Sequence, residues 1–138
     1  MVEKVIKCST SMKNILHKAY PDAVDPTRIG TYPVRVKSGG GYFFDKVLEY
    51  RVWVHPSEED VYYRAFANYL EALEFSKTTD NAEAPLALVS QDEYIDESTS
   101  GKYIHVRKPR LAEWLPEWLE NSQGTKVRIP EFLKNNNT

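Results

Sequence analysis

A single cysteine, Cys8, stands among the chain's 138 residues, so no disulfide can close within it. Long apolar runs are missing too: nowhere do about 18 apolar residues follow one another, which excludes a membrane-spanning helix. The opening MVEKVIKCSTSMKN has no apolar core of a secretion signal, and with the lone thiol this leads us to expect a reducing, cytoplasmic setting. Histidine is scarce, at His17, His55 and His105, and together with Cys8 these do not give the closely paired spacings of a zinc set, so no metal is expected. Charge of one sign is not in excess. With 18 Lys/Arg against 20 Asp/Glu the net is −2, which argues against a dedicated nucleic-acid binder. Gly-x-Ser-x-Gly is absent, as is Gly-x-x-x-x-Gly-Lys-Ser/Thr; neither an acyl-enzyme nucleophile nor a P-loop can be assigned.

What is present suits one compact domain: 41% hydrophobic and 28% charged residues. The charge is unevenly placed, at +4 over residues 1–38, −9 over 39–101 and +3 over 102–138. Basic ends folding back on an acidic middle is the simplest arrangement.

Residues 1–38 read as an N-terminal appendage holding a short helix and a strand. Ser9, Thr10 or Ser11 would cap a helix carrying Met12, Ile15, Leu16 and Ala19 on one face, and Tyr32 to Lys37 alternates as a strand does. Residues 39–134 read as a single α+β domain, and 135–138 as a fraying tail. Within the domain, VLEYRVWVH (Val47 to His55) alternates cleanly: Leu48, Tyr50, Val52 and Val54 fall on one face, Glu49, Arg51, Trp53 and His55 on the other. A polar turn and the returning strand Val61 to Ala67 complete a hairpin. Asn68 with Glu71 three residues later resembles a capping box and predicts a helix from Tyr69 to about Lys77.

Pro85 to Ser90 and Lys102 to Arg107 predict a second hairpin across the acidic, turn-like 92–101, with Ile104 and Val106 inward. Pro116 divides Leu111 to Glu120 into two turns of helix or an extended apolar strap. The expected architecture is a two-layer α+β fold: an antiparallel or mixed sheet of two hairpins under one main covering helix.

Two constellations carry candidate chemistry. Should the strands be neighbours, Arg51, Trp53, His55, Tyr103, His105 and Arg107 would form one aromatic and cationic face, a composition that favours partner recognition. Ser38, Gly39, Gly40 and Gly41 form either a flexible joint or a loop whose backbone amides approach an anion. The acidic pairs Glu58/Glu59, Asp92/Glu93 and Asp96/Glu97 read as solvated loops.

GGGYFFDKVLEYRVWVHP, YYRAFANYLEALEFSKTT, APLALVSQDEYIDE and EWLPEWL, over roughly residues 39–120, resemble a group of short, mostly uncharacterised bacterial proteins often labelled GNAT-family acetyltransferases. That resemblance implies an acetyl-CoA-dependent N-acetyltransferase with coenzyme A as cofactor. The nearest approach to the family's Arg/Gln-x-x-Gly-x-Gly/Ala is VKSGGGY, residues 36–42, and no catalytic residue of the family carries over. From the residues themselves we expect a small protein-binding or regulatory module with no cofactor and a protein partner, self-association being a further alternative.

Overall fold

The structure is a computed structural model that describes residues 20–136. Cys8, His17 and the expected helix over 12–19 lie outside the described residues. In chain order the elements are β1 (Lys37–Ser38), β2 (Lys46–Val54), β3 (Tyr62–Phe66), α1 (Tyr69–Thr78), β4 (Leu86–Gln91), β5 (Tyr94–Thr99), β6 (Lys102–Val106), β7 (Arg110–Trp114) and α2 (Thr125–Asn136). They build a five-stranded mixed sheet ordered β1-β7-β4-β2-β3 and a separate β5-β6 ribbon. This is the expected α+β, two-layer class with one main helix on the sheet. No helix among the described residues is long and apolar enough to cross a membrane.

The first hairpin forms as its alternation predicts, with β2 and β3 antiparallel from Tyr50↔Phe66 to Val54↔Tyr62. Helix α1 begins where its cap predicts, because the Asn68 side-chain oxygen accepts from the Glu71 amide at 2.9 Å, satisfying one of the donors a helix start leaves orphaned. Its Ala72 is fully buried, and Tyr69 and Phe75 pack with it on the sheet face formed by Val47, Tyr50, Val52, Val54, Ala87, Val89, Ala112 and Trp114.

The second hairpin differs from expectation. Strand β4 pairs with β2 and β7, not with β6, and the acidic stretch taken for a turn is itself strand β5. The physical reason is a two-residue turn, Ser100–Gly101, between Thr99 and Lys102: Gly101 takes φ +80°, and its amide is held by the Glu97 carboxylate at 2.8 Å. Ile95 is 1% exposed and anchors the ribbon. The face assigned to β6 is reversed as well. Ile104 is exposed, while Tyr103 packs edge-on against Phe132 of α2, a helix the sequence reading did not include.

That helix starts on a remote cap. The Asp45 carboxylate accepts from the backbone amide and hydroxyl of Thr125, both at 3.0 Å, and also from the Asp92 amide at 2.7 Å. One side chain thereby ties the approach to β2, the end of β4 and the start of α2. Residues Leu111 to Trp114, allowed as helix or strap, are strand β7; Pro116–Trp118 then makes a single 3-10 turn.

Both faces of the sheet are covered. A register shift between Val47 and Glu49 turns Leu48 off the face it was expected to share with Tyr50, onto a second cluster with Tyr32 and Leu88, flanked by Val36 and Leu111. Residues 30–36 lie across this second face, whereas Tyr20 packs with the first cluster beside Tyr69. Tyr50 Oη donates to the Pro21 carbonyl, the Ala23 amide to Ala67 and the Val24 amide to Val47.

Candidate functional site

The proposed aromatic and cationic face separates into several places. Arg51 is fully buried: Nε donates to Glu49 Oε2 at 2.7 Å, Nη2 to the Pro33 carbonyl at 2.6 Å, Nη1 to the Val34 carbonyl at 3.1 Å and to Glu113 at 3.4 Å. Its guanidinium also lies 4.7 Å from the centre of the Tyr63 ring. Trp53 stands beside it and donates its indole N–H to Glu113 Oε2 at 2.8 Å. These residues tie 30–34 to the sheet. His55 is half-exposed beside Glu83, and His105 is 2.6 Å from Glu93 on the ribbon. Tyr103 packs on Tyr42 and Phe132, and Arg107 is exposed just past the end of β6. Only Arg51 and Trp53 share one network.

Residues Ser38 to Gly41 instead border a cleft. Four successive residues, Gly39 to Tyr42, take φ between +65° and +92°, a path that side chains other than glycine's resist. The loop is fastened by hydrogen bonds. The Gly40 carbonyl accepts from Gln91 Nε2 at 3.1 Å and Trp114 Nε1 at 3.0 Å, the Phe43 carbonyl from Gln91 Nε2 at 2.9 Å, and the Gly41 carbonyl from the Ile95 amide at 3.1 Å. The Gly39 amide donates to Glu113 O at 2.6 Å. Gly39 also passes so close to Trp118 that an added Cβ would stand 2.9 Å from the indole.

The cleft has a volume of about 990 Å³ and runs between this loop, β5 and the stretch from Trp114 to Ser122. Tyr94, Trp114 and Trp118 supply aromatic walls, with Trp114 and Trp118 edge-to-face at 6.1 Å. Arg110 lies over Tyr94, its guanidinium carbon 3.8 Å from the ring centre, and its Nε donates to Gln91 Oε1 at 2.6 Å. Two cations, Lys37 and Arg110, and four carboxylates, Asp96, Glu97, Glu117 and Glu120, share the lining.

Sequence reading found the glycine loop and placed Trp114 and Trp118 in an apolar strap, but had no signal for Arg110, Gln91 or Tyr94. Gln91 and Arg110 are cross-strand partners of β4 and β7, so only the topology brings them together.

On the cleft lining, Tyr42 donates its hydroxyl to Glu97. That bond to a carboxylate, and then burial, pushes the phenol up to about 12, while it holds Glu97 below the usual carboxylate range with help from the Gly101 amide. A raised phenol contributes stability that is complete below its ordinary value of 10.0 and is lost as pH rises through about 12; a lowered carboxylate contributes above 4.5 and loses that contribution as pH falls. Glu97→Gln should therefore return one tyrosine's phenolate absorbance titration toward 10.0, and a high-pH titration identical to wild type would break the assignment.

No protein-family model, no curated protein and no solved structure matches the chain.

Proposed function

We propose that the protein is a binding module that takes a segment of a partner protein into the cleft beside the glycine loop. The observation that carries this reading is a concave site whose aromatic walls, Tyr94, Trp114 and Trp118, surround an arginine held in one orientation. Aromatic and arginine side chains in a desolvated concavity are the anchors that dominate recognition energetics. The two described histidines, His55 and His105, each face a carboxylate outside the cleft lining, and this supports recognition over chemistry. An acetyl-CoA site draws on loop amides that open a helix. Here the loop continues through Phe44 into β2, so the local backbone does not favour that alternative.

A photo-crosslinking residue placed at Glu120, on the cleft lining, should capture one partner protein, with capture lost when Trp118→Ala is added. The same residue placed at Val127, 75% exposed on α2 and outside the cleft lining, should capture none. Equal capture from both positions, or capture indifferent to Trp118, would sink the reading; calorimetric binding of acetyl-CoA at micromolar concentration would replace it with the acetyltransferase.

A further inference from the structure

We infer that Arg110 is the anchor of this cleft and that it takes a free carboxylate, the C-terminal group of a peptide, whose neighbouring side chain is cationic. The inference rests on the binding-module reading and names the chemistry of its ligand. Arg110 is built to be held still. Its Nε is committed to Gln91, which is fully buried and itself gripped by the Gly40 and Phe43 carbonyls, and its guanidinium carbon rests 3.8 Å from the centre of the Tyr94 ring. Among the described residues its two terminal nitrogens have no hydrogen-bond partner and no carboxylate within 4.0 Å, although the side chain lines the cleft. A guanidinium fixed at Nε, with Nη2 beside the Gly40–Gly41 backbone and neither terminal nitrogen bonded to a described residue, matches the two oxygens of a carboxylate.

The rest of the lining selects among anions. Asp96, Glu117 and Glu120 add negative charge, and Glu97 is already occupied by the Tyr42 hydroxyl and the Gly101 amide. Lys37 and Arg110 are outnumbered by four carboxylates, so a phosphate dianion would bring more repulsion than these two cations offset, whereas a monoanion paired with a cation satisfies both signs. A peptide ending in lysine carries both groups.

The probe is N-acetyl-Ala-Lys, titrated by calorimetry into the full chain as its free acid and as its C-terminal amide. The free acid should bind about tenfold or more tightly than the amide, the value of charge-assisted bonds to a fixed fork. Arg110→Gln should remove that preference, and Arg110→Lys, which keeps the charge but not the fork, should recover it only in part. The acid-against-amide comparison on the wild-type chain stands even where a variant fails to fold. Equal binding of acid and amide, still abolished by Trp118→Ala, overturns the carboxylate anchor and leaves the cleft reading intact. Binding of inorganic phosphate in preference to the free acid overturns the choice of anion, and free L-lysine binding as tightly as the peptide overturns the peptide source. If neither dipeptide binds, crosslinking from Glu120 separates the failures: capture there overturns the anchor alone, and no capture overturns both.

Discussion

Replacing Arg51 with alanine should cost the fold about 3–5 kcal/mol, the range for removing one partner of a buried ion pair. Whole domains of this size are stable by only about 5–15 kcal/mol, so most of the margin would go. The loss is large because of what stays behind. Glu49, also fully buried, would keep only the Gly30 amide, at 2.7 Å, while the Pro33 and Val34 carbonyls would lose their donor inside the protein. Arg51→Lys should recover little, since an ammonium cannot serve two carbonyls and two carboxylates in the planar geometry that the guanidinium fork provides. The double change Glu49→Leu with Arg51→Met should come closer to wild type than either single change, because neither member of the fully buried Glu49–Arg51 pair is then left as an unpaired charge. Urea melts of the five variants measure this directly. A loss under about 1 kcal/mol for Arg51→Ala would mean that residues 30–34 are held by their apolar contacts alone, Tyr32 and Val36 against Leu48 and Leu88.

Arg51 also shows where local pattern stops being informative. Alternation over Val47 to His55 identified strand β2 because strand periodicity is a property of neighbouring residues, and Asn68 with Glu71 marked the start of α1 for the same reason. Which face meets water is decided elsewhere. Residues 30–36 cover the side carrying Glu49 and Arg51, and a bulge of one residue moved Leu48 across to it. Strand β5 was hidden by its acidic composition although Ser100–Gly101 supplied a hairpin turn, and α2 was hidden because its cap, Asp45, lies 80 residues away. Of the candidate site, the run of three glycines was legible as unusual backbone. Its use was not, because Gln91, Arg110 and Trp118 reach the loop from three later segments of the chain.

Those contacts make Gly41 the position in the loop least able to accept a side chain. A Cβ there would stand 2.2 Å from Gln91 Nε2 and 2.9 Å from Arg110 Nη2, with the backbone at φ +92°. Gln91 cannot yield cheaply, being fully buried and bonded to two loop carbonyls and to Arg110. Gly41→Ala therefore combines a strained backbone, about 1–3 kcal/mol, with overpacking of a closed site, about 1–3 kcal/mol, for a loss of about 2–6 kcal/mol. Gly101→Ala isolates the first contribution: it has φ +80° but nothing within 4 Å of the added carbon, so about 1–2 kcal/mol is expected. The second consequence concerns recognition. Any relief at Gly41 displaces the Gln91 amide and with it the Nε contact that fixes Arg110, so the preference for free acid over amide should fall in Gly41→Ala and persist in Gly101→Ala at temperatures where both remain folded. Equal losses of stability in the two alanine variants would show that Gln91 and Arg110 move aside freely, and a cleft whose arginine moves freely has no fixed fork with which to distinguish a carboxylate from its amide.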